Sequence, residues 1–373
     1  MSTASASDRN PQLTDRPVVT VGDLSGGALS SLRTVVEELG LALVEADGDE
    51  VPEVGARAPL AIIVPLGGPS GSSPCVKVRL RRAYAHVPVM ALTAESSDLA
   101  FTEIFSAGGD EVIPSGEPDR LRTRLRALAR GQQGEPLAAG RKGLAIVAGA
   151  DAAWRAVVGR VLLNGGFDVD FAVDAAAARR PEAKLVVSDE ELLRTGGLEV
   201  LAERAGAAPQ PWVVAVEPRH IAATRAELAG KPRVAVTDAF APPENVIFLA
   251  NELGFEVASR RESPRALFGT TVAFRAAGRE RDELGFTYNV SAGGLYIRTL
   301  APLDPGQEAW LELWPPRSDR RVRLVGRVAW RRAFGQSETA TVPPGFGVKL
   351  EGGLGDDLNR YRAGYESLGH AAE

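Results

Sequence analysis

The chain has 373 residues, room for two or three domains, and its 45% hydrophobic and 24% charged content is that of ordinary folded, soluble proteins. A net charge of −5 gives no general attraction to nucleic acid or to an anionic membrane, and the single cysteine, Cys75, permits no internal disulfide. Neither a secretory leader nor an apolar run long enough to cross a bilayer is visible, so a cytoplasmic setting is expected.

Residues 1–16 are polar and aperiodic, which predicts a loose tail. From 17 to 130 the pattern alternates between strand and helix. PVVTVGD, LALVEA, LAIIVP, VPVMALTA and DEVIP are short apolar runs, most of them rich in β-branched residues. GALSSLRTVVEEL and DRLRTRLRALA lie between or after them with the look of helices. Such alternation predicts a doubly wound α/β domain with a parallel sheet. The segment resembles a response-regulator receiver domain. In that family an aspartate ending the third strand accepts a phosphoryl group, and the aligned residue here is Pro65. The family's acid pair after strand one is reduced to Asp23, and its strand-five lysine is replaced near Ser115, although Thr93 matches the hydroxyl position. Phosphoryl transfer needs Mg²⁺ held by carboxylates and an acceptor in line, so the resemblance implies a receiver-like scaffold without its chemistry.

Residues 131–142, rich in Gly, Gln and Pro, read as a linker. A second alternating segment follows over 143–256, with strands GLAIVAG, FDVDFAV, AKLVVSD, PWVVAVE and RVAVTD. It resembles a receiver more faintly, but Asp189 ends its third strand and Gly197 follows eight residues later, as in the family. Ala148 and Gly149 occupy the acid-pair positions, with Asp151 nearby. The hydroxyl and lysine positions fall at about Val216 and Asp238. Asp189 is therefore a candidate phosphoacceptor with an incomplete magnesium site, and a helix cap is the competing role. The stretch PPENVIFLANELGF is an amphipathic helix, expected to pack on its own sheet.

The last segment, 257–373, changes to alternating strands broken by Gly and Pro: FGTTVAFRA, ELGFTYNVS, GGLYIRTL, EAWLELWP, RRVRLVGRVAWR and GFGVKLE, with a closing helix DDLNRYRAGYESL. Trp310, Trp314 and Trp330 are expected in its core, with a stacking surface the lesser alternative. The arginines of RRVRLVGRVAWRR should divide between two faces as a solvated rim, which argues against a nucleic-acid groove.

RRESPR places Arg260, Arg261 and Arg265 just before the first of these strands, and NVSAGG places Asn289, Ser291, Gly293 and Gly294 on and beyond the second. Guanidinium binds phosphate oxygens or guanine O6 and N7 through paired hydrogen bonds. Pro264 keeps the arm extended. Asn289 and Ser291, two apart on a strand, face the same way, and glycines without Cβ let a ligand approach. With 38 Arg against 5 Lys, arginine alone says little. The order and spacing of both motifs, however, resemble the PilZ domain, a bacterial receptor module for cyclic di-GMP with RxxxR before the first strand and D/N-x-S-x-x-G on a six-stranded barrel. That resemblance implies a PilZ β-barrel, cyclic di-GMP as the ligand, and those seven residues as its site.

Catalysis finds no support. His86, His220 and His370 lie in three different segments with no cysteine or paired-carboxylate partner at metal spacing, and no P-loop, nucleophile elbow or kinase signature is present. No metal, cofactor, nucleic-acid partner or membrane insertion is expected. The receiver-like pair is expected to bind partner proteins, with a homodimer left open. The alternatives are a nucleotide-independent scaffold and a response regulator phosphorylated at Asp189.

Overall fold

The computed structural model describes residues 16–46, 50–52, 58–66, 73–131, 142–203, 210–254, 263–335 and 342–369. Strands β1 Val18–Thr20, β2 Leu43–Glu45, β3 Ala61–Pro65, β4 Val89–Thr93 and β5 Glu111–Pro114 form a parallel sheet in the order β2-β1-β3-β4-β5. Helices α1 Gly26–Glu38 and α4 Pro118–Gly131 cover one face, burying Leu32, Val35, Leu121 and Leu125 on Val18, Ile63 and Met90. Helices α2 Pro74–Leu80 and α3 Asp98–Ser106 bury Cys75, Val78, Phe101 and Ile104 on the opposite face, against Val19, Ile62 and Val89. Both faces are covered, which is why these strands read as continuous apolar runs. Ser25, Ser73 and Ser97 start α1, α2 and α3 by accepting a hydrogen bond from a backbone N–H of the first turn.

The second sheet repeats the plan. Its strands β6 Leu144–Ala148, β7 Asp168–Ala172, β8 Ala183–Asp189, β9 Trp212–Val216 and β10 Val234–Asp238 run in the order β10-β9-β8-β6-β7, all parallel. Helices α5 Ala152–Asn164, α6 Glu190–Leu192, α7 Leu198–Glu203, α8 Ile221–Glu227 and α9 Glu244–Gly254 flank it. As expected, α9 packs on its own sheet, through Val246, Ile247 and Ala250.

The third body is an antiparallel β-barrel. It contains β11 Ala266–Leu267, β12 Thr271–Ala276, β13 Glu283–Ser291, β14 Gly294–Arg298, β15 Glu308–Leu313, β16 Val322–Arg332 and β17 Gly345–Gly353, then helix α10 Asp357–Gly369. Pairings β12-β13-β14-β17-β16-β15-β12 close a ring of six, and β11 continues the β12 edge along the far end of β13. Val272, Phe274, Ile297, Leu311, Leu324 and Phe346 fill it.

Two tryptophans depart from the expected core placement. Trp310 and Trp314 are 45% and 39% exposed. On β15, Trp310 shares its outward face with Glu308 and Glu312, while Ala309, Leu311 and Leu313 point inward. Arg275 and Arg321 lie over the two exposed rings, at 5.7 and 5.5 Å from the centroids. Arg323, Arg327 and Arg331 do form a solvated rim, paired with Glu312, Glu351 and Asp304.

The three bodies meet through polar contacts, many of them buried, and through stacked aromatic rings. Between the two sheets, Asp110 accepts from Arg160 of α5 (2.6 and 2.8 Å), from Arg79 of α2 (2.9 Å) and from the Val89 N–H (2.9 Å). Between the first sheet and the barrel, Phe286 stacks on Phe101 at 5.2 Å, and Glu111 accepts from the Leu300 N–H at 2.6 Å. Arg124 donates to Leu284 O at 2.7 Å, and Asp98 accepts from the Thr271 N–H at 2.6 Å. Between the second sheet and the barrel, Arg298 pairs with Glu244 at 2.9 Å, and the Tyr288 hydroxyl donates to Glu244 O at 2.7 Å. No helix among the described residues is long and apolar enough to cross a membrane.

Candidate functional site

Strands β13 and β14 form a hairpin whose turn is Ala292 and Gly293, with Ser291 opposite Gly294 and Asn289 opposite Tyr296. A register shift between Thr287 and Asn289 leaves Tyr288 out of the pairing. Beside the hairpin a groove of about 180 Å³ opens on the barrel wall, lined by Arg265, Asn289, Ser291, Tyr296, Trp330 and Lys349, with glycines between them. Three of the predicted residues, Arg265, Asn289 and Ser291, are thus brought together with both glycines of the motif. Arg265 reaches the groove because β11, which follows it directly, pairs Ala266 with Val290 and Leu267 with Asn289. Arg260 and Arg261 lie outside the described residues.

Asn289 is only 3% exposed, and its Nδ2 has no hydrogen-bond partner although it lines the groove. The Ser291 hydroxyl donates to Gly294 O at 3.2 Å. Helix α10 braces hairpin and arm together, since the Tyr361 hydroxyl donates to Gly294 O at 2.8 Å and the Tyr365 hydroxyl to Pro264 O at 2.8 Å. Burial pushes the Tyr361 phenol above its ordinary range, so it remains a donor.

The two glycines play different parts. A Cβ on Gly293 would meet open space, which leaves the approach to the groove clear. A Cβ on Gly294 would lie 2.4 Å from Val348 O, so this glycine is needed for the β14–β17 pairing itself. For Gly294 this adds a structural requirement beside the expected role in ligand approach, since both glycines line the groove.

Tyr296, Trp330 and Lys349 were not singled out for the ligand by the motifs. The indole of Trp330 stacks on Tyr296 at 4.9 Å and 27°, and it lies across Gly347, where a Cβ would come within 2.7 Å of its Nε1. Tyr296 follows Gly294 by two residues and so projects to the same side of the strand, a signal that was available. Lys349 enters only through the pairing of β14 with β17.

The first sheet carries Pro65 at the end of β3 and Thr93 at the end of β4, whose carbonyl accepts from the Ser115 N–H at 2.7 Å. Asp189 ends β8, and both its oxygens are engaged by backbone: Oδ1 accepts from Leu192 N at 2.8 Å and Oδ2 from Ala150 N at 3.0 Å. Asp151 likewise caps α5 through the Ala153 N–H at 2.8 Å. Among the described residues no group of three or more His, Cys, Asp or Glu side chains is placed to hold a metal ion. Replacing Asp189 with alanine is expected to lower stability by about 1 kcal/mol, the usual worth of a helix cap. Chemical denaturation of both proteins measures it, and an unchanged midpoint would deny the cap its role.

One family model matches the segment that forms the barrel. Residues 259–363 match the family model described as PilZ domain. This segment is a PilZ domain. No curated protein matches the chain. Among solved structures, the inhibitor of motility MotI/DgrA of Bacillus subtilis is 15% identical with a TM-score of 0.25, over 30% of this chain and 53% of that one. The chain thus spans about half the length of that protein. A two-component system response regulator/GGDEF domain protein is 19% identical with a TM-score of 0.28, over 64% of this chain and all of that one. The Escherichia coli RcsC C-terminus, with its phosphoreceiver domain, is 11% identical with a TM-score of 0.24, over 64% and 94%. The PilZ domain follows two α/β bodies, each built on a five-stranded parallel sheet.

Proposed function

We propose that this protein is a receptor for cyclic di-GMP without catalytic activity of its own, and that it passes the binding event to partner proteins through its receiver-like bodies. The observation that carries this reading is the buried, unpartnered Nδ2 of Asn289 facing the PilZ groove. A shielded donor without an acceptor costs about 1–3 kcal/mol, and the O6 or N7 of a guanine would relieve that cost. Tyr296 and Trp330 offer an aromatic surface beside it, and Arg265 a guanidinium for a phosphate. The groove takes one base, and Arg260 and Arg261 are proposed as contacts for the second nucleotide.

The output runs along β13. Asn289 and Ser291 face the groove, while Phe286 of the same strand is packed against Phe101 and Phe105, and Tyr288 against Glu244 and Phe248. A ligand that shifts Asn289 shifts these contacts too, so the response is a repacking of a buried junction.

Calorimetric titration tests the reading. Arg265→Ala removes a charge-assisted contact worth about 1.5–3 kcal/mol and is expected to weaken cyclic di-GMP about ten- to a hundred-fold, with GTP inert toward both proteins. Equal heats from wild type and variant would defeat the assignment of Arg265.

A further inference from the structure

Where the three bodies meet, a second cavity, of about 40 Å³, is lined by Asp110, Arg160, Glu244, Arg332, His86 and Asn164, with Pro343 and Pro344 at one side. Its charges do not balance. Four guanidinium groups, those of Arg79, Arg160, Arg298 and Arg332, gather about two carboxylates. Asp110 is shared by Arg79 and Arg160, and both oxygens of Glu244 are taken by Arg298. Arg332 is left over. Its Nε is shielded from water and meets no acceptor, and no carboxylate pairs with it among the described residues. Guanidinium stays charged at neutral pH, so this half-buried side chain lines the cavity with its charge uncompensated and its Nε donor unused.

We propose that this junction cavity binds one small inorganic oxyanion, phosphate or its like, held by the fork of Arg332 with the charge of Arg160 beside it. The size decides the class. By the same measure one water needs about 10–15 Å³, so the space suits about three waters or a single tetrahedral anion and is too small for a nucleotide. The site is separate from the PilZ groove, which none of these six side chains lines. An anion there would tie the end of β16 to α5 and to the start of α9, locking the three bodies together.

The experiment uses the full chain and inorganic phosphate. The thermal midpoint is followed as phosphate replaces chloride at constant ionic strength, and ³¹P line broadening reports binding directly. Wild type is expected to show a saturable rise of the midpoint and broadening of the phosphate resonance. Arg332→Met should weaken phosphate about ten-fold or more, while Arg265→Ala in the other groove leaves it unchanged. Asn164→Asp, which sets a carboxylate at the cavity while keeping its size, should weaken phosphate as well and serves if Arg332→Met does not fold. No phosphate effect on wild type, or one that survives both cavity variants, or one abolished by Arg265→Ala alone, overturns the proposal.

Discussion

Asp110→Ala is expected to destabilise the chain by about 3–5 kcal/mol. The carboxylate is the common partner of Arg79 and Arg160, whose side chains are essentially closed to solvent. Removing it strands two buried cations and takes the acceptor from the Val89 N–H. Burial pulls the Arg79 guanidinium down to about 10, a sign of how little water reaches it. Burial alone would raise the Asp110 carboxyl, but Arg160 and Arg79 hold it below its ordinary range. A lowered folded value contributes stability that is present above the ordinary carboxyl value of about 4 and is lost as pH falls through the lower one. Wild type should therefore lose stability steeply only in strong acid, and the variant should lack that loss. Urea midpoints against pH measure both, and a difference under about 1 kcal/mol at neutral pH would show that the pairing is not needed.

Arg298→Leu is expected to cost a similar amount, about 3–5 kcal/mol, and to disturb the junction through which sensing is proposed to run. Arg298 ends the strand that begins with Gly294. Its guanidinium pairs with Glu244 of the second body and lies 3.5 Å from the centre of the Phe105 ring of the first. Leucine leaves Glu244 buried and unpaired. The groove residues are untouched, but Glu244 also holds Tyr288 of the strand that carries Asn289, so affinity for cyclic di-GMP should shift by about five-fold or more through the junction. Limited proteolysis around α9 should become faster, because its first turn is held by this pair and by Tyr288. Unchanged proteolysis together with unchanged stability would remove Arg298 from the junction.

The sheets could be read from the chain because their strands are short, β-branched and separated by helices with serine caps. The barrel was equally readable on β16, where buried and exposed residues alternate along almost the whole strand. Strand β13 breaks that rule, with Gly285 through Val290 all buried. One of its faces fills the barrel and the other is covered by the α/β bodies. The run Phe286-Thr287-Tyr288 on an antiparallel strand carried that message, since a solvated face would have shown alternating polar residues. For Trp310 the phase was on the page as well, in step with Glu308 and Glu312, and the usual preference of tryptophan for cores hid it. The Asp110–Arg160 pair was not legible at all. Its members are 50 residues apart in different domains, and in a chain with 38 arginines no single one stands out. The groove was half legible: the motifs named Arg265, Asn289 and Ser291, but Lys349 and the stacked Trp330 depend on strand register.

A crystal structure of the full chain grown with cyclic di-GMP tests the central claim most directly. The account predicts a guanine against Trp330 and Tyr296, with an acceptor within about 3.2 Å of Asn289 Nδ2 and a phosphate on Arg265. An empty groove, or a ligand seated elsewhere with Asn289 Nδ2 still unpaired, would contradict it.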